Sequence, residues 1–277
     1  MNVTMIYFSQ TGNTLKVAEA MAETFRGAGH SVHTIPLQKA TPQDAVTADL
    51  LGIGTPCFSS QAPTPVKEFL RTLPALDKPR AFVFATSGGA PGRVLYDLSS
   101  LLGDTGAEVV GGFLARGELY HPAPCLVGRM PNRPDEEDLA SARRFAAAVM
   151  EHVAAGQPGP VAESRPDAFK PGRGFYDLVA KLSTDGFLRL LLPAPKLDST
   201  QCNQCGSCVQ ECPMNNIVLE PYPVLDNQCI RCYRCLTGCP QEAFAADWRF
   251  GNLATWTLYN TAFEHWFGDL KPGERIY

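Results

Sequence analysis

Eight of the ten cysteines in this 277-residue chain stand in two runs of identical spacing. The first is Cys202, Cys205, Cys208 and Cys212 followed by Pro213, and the second is Cys229, Cys232, Cys235 and Cys239 followed by Pro240. Two intervals of two residues let three thiolates of one tight loop converge on three irons of an iron–sulfur cube. The fourth cysteine, three residues further on, starts a turn that points elsewhere and serves the opposite cube. On this argument Cys202, Cys205, Cys208 and Cys239 hold one [4Fe-4S] cluster, and Cys229, Cys232, Cys235 and Cys212 hold the other. Gly206, Ser207 and Gly238 leave room for a cluster and let backbone amides approach its sulfurs. Zinc is the alternative, but a structural zinc takes two pairs per ion and has no use for a third cysteine at the same interval. Four disulfides would require an oxidising compartment, which nothing else in the chain suggests.

Residues Thr200 to Ala246 resemble a bacterial-type two-cluster ferredoxin, including both Cys-Pro ends and the short segment Asn216 to Asp226 between the halves. The resemblance implies low-potential, one-electron transfer. Neither run departs from the four-cysteine pattern.

The first 156 residues follow a different logic. Short β-branched or aromatic runs alternate with helical periodicity, the mark of a parallel sheet covered on both faces. Strands are expected at Val3–Phe8, Ser31–Leu37, Leu50–Gly54, Ala81–Thr86 and Val109–Leu114, with helices at Thr14–Gly29, Pro65–Leu73, Arg93–Thr105 and Glu136–Ala155. Gly29, Gly106 and Gly156 are natural helix stops. Right-handed crossovers then give an α/β doubly wound five-stranded parallel sheet, with its ligand site beyond the carboxyl ends of the strands.

Directly after the first strand stands Ser9-Gln10-Thr11-Gly12-Asn13-Thr14. Its hydroxyls, the Asn13 amide and unpaired helix N-terminal amides suit a phosphate dianion without lysine or metal, and Gly12 permits close approach. Any one of these residues would be an ordinary N-cap; six together after the first strand are more specific. Tyr7 to Thr14 resembles the phosphate loop of flavodoxins. That resemblance covers about the first 150 residues and implies strand order 2-1-3-4-5 and bound FMN. It gives two further cofactor loops, Thr55-Pro56-Cys57-Phe58 and Thr86-Ser87-Gly88-Gly89. Phe58 is the candidate for stacking on the flavin ring, and core packing is the competing role. Cys57 and Cys125 read as small buried fillers. Tyr120 or His121 in the loop Gly117–Pro122 could close over the ring, or serve as packing and a surface polar group.

The boundaries expected are 1–156 for the flavodoxin-like FMN domain and 157–199 for a proline-rich linker with an amphipathic helix. The small α+β ferredoxin domain then spans 200–246, and 247–277 is an aromatic-rich extension packed over the clusters or the flavin domain. A net charge of -4 with no long basic run argues against nucleic acid as a partner. Asp177, Lys181, Asp185 and Arg189 interrupt the most hydrophobic later window, Phe175 to Leu192, and argue against a membrane span. Met1 to Gly12 reads as strand and loop, not as a secretory signal, so a cytoplasmic location is expected.

The order of the two modules resembles the fused flavodoxin and ferredoxin proteins of anaerobic bacteria and archaea. It implies an electron carrier between redox partner proteins that relays electrons between FMN and two [4Fe-4S] clusters. The alternative is a flavin-dependent reductase of a small substrate, fed by its own clusters. The chain has no G-x-G-x-x-G for a nicotinamide cofactor. Oligomeric state stays open, a homodimer included.

Overall fold

The computed structural model describes residues 1–77, 79–124, 126, 129–170 and 175–257. They form two compact units: Met1–Glu118 with Met130–Lys181, and Leu119–Arg129 with the chain from Leu182 onward.

The first unit alternates strand and helix. Its order is β1 (Asn2–Tyr7), α1 (Asn13–Gly27), β2 (Ser31–Pro36), α2 (Pro42–Val46), β3 (Leu50–Pro56), α3 (Thr64–Thr72), β4 (Arg80–Ser87), α4 (Val94–Asp104), β5 (Glu108–Arg116) and α5 (Glu136–Ala154). All strand pairs are parallel, in the order β2-β1-β3-β4-β5. Side chains alternate across each strand, so the sheet has two apolar faces and the unit two cores. Met5, Phe82 and Phe84 meet Val17, Met21 and Phe25 of α1 and Phe145 and Val149 of α5. Ile6, Ile53 and Val83 meet Val66 and Leu70 of α3 and Val94 and Leu98 of α4 on the other side. Gly29, Gly106 and Gly156 all adopt positive φ just past the ends of α1, α4 and α5, as helix stops require.

The proline-rich segment after α5 is no free tether. Val161 N–H donates to the Val110 carbonyl at 2.8 Å and Arg165 N–H to the Gly112 carbonyl at 2.9 Å. These bonds cap the open edge of β5, which would otherwise expose unpaired backbone groups. Ala168 is fully buried in the α3/α4 core. The window Phe175 to Leu192 is two helices, α6 (Phe175–Leu182) and α7 (Asp185–Leu191). Thr184 starts the second, its Oγ1 accepting the Phe187 N–H at 3.4 Å. Among the described residues no helix is long and apolar enough to cross a membrane.

The second unit continues with β6 (Lys196–Leu197), α8 (Ser207–Gln210), β7 (Ile217–Leu219), β8 (Pro223–Leu225), α9 (Arg234–Thr237), β9 (Phe244–Ala245) and α10 (Trp248–Thr257). β6 pairs with β9 and β7 with β8, both antiparallel. The sequence repeat is also a backbone repeat. Gln204, Gly206 and Asn215 have positive φ, and so do their counterparts Arg231, Tyr233 and Glu242 in the second run. One small core cluster of this unit has Cys208, Ile217, Cys235 and Phe244 as its buried residues. Of the aromatic extension, Trp248 and Trp256 lie in α10, while Tyr259, Phe263, Trp266 and Phe267 lie outside the described residues.

Candidate cofactor sites

The first candidate site lies beyond the carboxyl ends of β1, β3, β4 and β5. Gly12 caps α1 at φ +90° and contributes no side-chain acceptor, so the helix opens with its N–H groups facing the loop. Ser9 Oγ accepts one of them, from Leu15, at 3.3 Å. Thr14 is buried, and its Oγ1 lies 2.8 Å from Thr86 Oγ1, tying the loop to the end of β4. Asn13 Nδ2 donates to the Glu118 carbonyl at 2.9 Å, tying it to the end of β5. Thr11 is exposed at the rim. Gln10 Nε2 is buried with no hydrogen-bond partner among the described residues. A buried orphan donor is costly, and this one lies beside a positive helix terminus. The loop therefore fits a bound phosphate.

Thr55, Pro56, Cys57 and Phe58 follow β3. Thr55 is fully buried, and Cys57 N–H donates to the Thr86 carbonyl at 2.8 Å. The chain then reverses in a two-residue turn: Phe58 and Gln61 exchange both backbone bonds while Ser59 and Ser60 take φ of 46° and 69°. Such a turn favours Asn or Gly, and two serines in it mark a locally constrained loop. The Phe58 ring is half-buried, 6.2 Å from Phe8 and edge-on to it. The Cys57 thiol donates to the carbonyls of Ala90 (3.2 Å) and Pro91 (3.4 Å), and burial pushes its pKa up to about 12. That is a packed neutral thiol; Cys125 lies outside the described residues.

Thr86, Ser87, Gly88 and Gly89 follow β4. Ser87 Oγ donates to the Gly89 carbonyl at 3.0 Å, and the same carbonyl accepts from Arg116 Nη1 at 2.9 Å. Arg116 is buried beneath this loop. Nothing in the sequence pattern singles it out, because its neighbour Gly89 is 27 residues away in the chain.

Leu119–Arg129 belongs to the second unit, and the His121 ring packs there on Tyr233 at 5.1 Å and Trp248 at 5.3 Å. Burial lowers its pKa to about 4, so it is a neutral packing group. Tyr120 is half exposed.

In the second unit, Cys212 of the first run reaches the second. It lines a cavity together with Cys229, Cys232 and Cys235, bordered by Ile217, Ile230 and Tyr233. The positive-φ residues turn backbone amides toward sulfur. Asn216 N–H donates to Cys212 Sγ at 3.3 Å, and its counterpart Ala243 N–H donates to Cys239 Sγ at 3.4 Å. Gln204 N–H donates to Cys202 Sγ at 3.4 Å, and Ser207 Oγ lies 3.3 Å from Cys205 Sγ, which together with the adjacent amide lowers the Cys205 pKa. Burial raises the pKa of Cys208, and burial with the neighbouring thiols takes Cys235 to about 12. A bound metal cation would draw these thiols into the thiolate form. Arg231 Nε is buried beside the second run without a hydrogen-bond partner among the described residues. Among those residues no three His, Cys, Asp or Glu side chains converge on a single-ion site. Sulfurs spread around a cavity fit a polynuclear cluster.

Two family models match this chain. One described as a flavodoxin domain covers residues 4–120, and one described as a 4Fe-4S dicluster domain covers residues 201–244. An uncharacterized protein of Methanocaldococcus jannaschii is 24% identical over 143 residues, spanning 50% of this chain and 91% of its own. The flavodoxin of Megasphaera elsdenii is 26% identical over 144 residues, spanning 50% of this chain and 96% of its own. Among solved structures, a flavodoxin from the domain Archaea aligns with a TM-score of 0.44 at 18% identity, over 56% of this chain and 99% of its own. The first domain implies FMN and the second implies iron–sulfur clusters. One chain thus joins a stretch that matches the flavodoxin domain to a stretch that matches the 4Fe-4S dicluster domain.

Proposed function

We propose that this chain relays electrons between FMN, held by its first unit, and two [4Fe-4S] clusters, held by its second, and so links one-electron and two-electron redox partners in the cytoplasm. FMN takes up one or two electrons whereas each cluster passes one at a time. The residues supply binding and insulation. Ser9 to Thr14 receive the FMN phosphate with Gln10 Nε2 and the α1 amides. Thr55 to Phe58 and Thr86 to Gly89 border the ring, with Arg116 fixing the glycine loop from below. Cys202, Cys205, Cys208 and Cys239 hold one cluster; Cys212, Cys229, Cys232 and Cys235 hold the other.

The observation that carries this reading is the cavity that gathers Cys212 with the three cysteines of the opposite run. Reduction of a small substrate at the flavin is less well supported, because His121, its candidate acid, is buried against Tyr233 and Trp248.

The test is anaerobic purification with FMN, iron and acid-labile sulfide counted per chain, followed by a redox titration. One FMN, eight irons and eight sulfides are expected, from the two-cluster ligand set. Zinc in place of iron, or a chain that binds no flavin, would overturn the relay.

A further inference from the structure

The two cluster sites descend from one repeated backbone, and the positions at which the repeat is broken are informative. The first loop is a surface feature: Gln201, Asn203, Gln204 and Cys205 are exposed, and no charged side chain occurs from Ser199 to Gln210. At the matching positions of the second loop Gln228 is likewise exposed, but Ile230 is buried and Arg231 and Cys232 are partly covered. The sharpest break is Gly206 against Tyr233. Both adopt positive φ, 74° and 56°, which glycine takes freely and a bulky side chain does not. Such strain persists only where surrounding contacts enforce it. Here they are specific: Tyr233 is 1% exposed, its hydroxyl donates to the Pro193 carbonyl at 2.8 Å, and its ring lies 4.8 Å from Trp248 and 5.1 Å from His121. The same ring lines the cavity shared by Cys212, Cys229, Cys232 and Cys235.

Given the two-cluster reading above, on which this step rests, we propose that the clusters are functionally unequal. The one held by Cys202, Cys205, Cys208 and Cys239 is the port through which a protein redox partner with an uncharged polar docking patch exchanges single electrons. The one held by Cys212, Cys229, Cys232 and Cys235 is an inner centre sealed by Tyr233, His121 and Trp248. Electron tunnelling falls off exponentially with distance, so single-electron exchange between a partner and the clusters runs through the exposed loop. A dry aromatic wall disfavours the extra negative charge of a reduced cluster, so Tyr233 holds the inner centre's potential down.

The test uses the full-length, cluster-loaded chain. Dithionite-reduced protein is mixed with hexaammineruthenium(III), a bulky cation that cannot enter the fold, and separately with anionic ferricyanide. Asn203→Lys with Gln204→Lys should slow the ruthenium reaction and speed the ferricyanide reaction by about tenfold at low salt. Gln228→Lys, an equally exposed change beside Cys229, should leave both rates unchanged. In an anaerobic titration followed by electron paramagnetic resonance, Tyr233→Gly should raise the potential of one cluster and spare the other, and Tyr233→Phe should move neither. Equal rate changes from the two lysine placements would overturn the port, and unmoved potentials in Tyr233→Gly would overturn the seal. A native chain carrying fewer than two clusters would remove the relay reading itself, before either variant is made.

Discussion

At the scale of single residues, chemistry that depends on short spacing was legible and chemistry assembled across the chain was not. The cysteine runs and Ser9 to Thr14 are local patterns, and the fold places each in one loop. Arg116 beneath Gly89, and Tyr233 between His121 and Trp248, come from distant segments and carry no local signature. Two predictions belong at this scale. Cys212→Ala should damage the cluster of Cys229, Cys232 and Cys235 while that of its sequence neighbours survives; paramagnetic resonance reads which signal is lost. Thr11 is exposed at the rim of the phosphate loop, so Thr11→Glu sets a negative charge against the phosphate without disturbing a core. FMN affinity should fall by about a hundredfold, measured by flavin fluorescence, with Thr11→Gln as the neutral control.

At the scale of elements, all five strands and the four longer helices stand where the alternation of apolar runs puts them, with ends displaced by a few residues. The helix stops follow from glycine's freedom at positive φ. Two features follow from packing instead. The segment after α5 lies along β5 because an open strand edge must be covered, and the hydrophobic window after it breaks into two helices at Thr184. Helix α5 starts at a side-chain cap. Asp135 accepts N–H bonds from Glu137 and Asp138, both at 3.0 Å, and the bond from Asp138 chiefly lowers its pKa. Asp135→Ala should destabilise the first unit by about 1 kcal/mol at neutral pH. Because folding lowers this pKa, the stabilisation is present above the unfolded-state value and disappears as pH falls through the folded-state one. The wild type and the variant should therefore converge in stability in acid, as urea unfolding monitored by circular dichroism would show.

At the scale of the whole molecule, the two units rest on different physics. The first has two apolar cores, one on each face of its sheet. The second gathers Cys208, Ile217, Cys235 and Phe244 in a small cluster among its described residues, and the proposed metal clusters would add their binding energy to that packing. Stripping iron with a chelator should abolish one calorimetric transition and leave the other, with FMN still bound; loss of both together would show a single cooperative unit. The sequence by itself determined the α/β class, the strand order implied by the phosphate loop, and the two cysteine runs of the 4Fe-4S dicluster stretch, because periodicity and spacing are written within a few turns of chain. The tertiary structure alone decided that Leu119–Arg129 joins the second unit, that the His121 ring packs on Tyr233 and Trp248, and that two identical cysteine runs sit in unlike surroundings. Those outcomes depend on which distant side chains exclude water from a site, and burial is a property of the assembled chain.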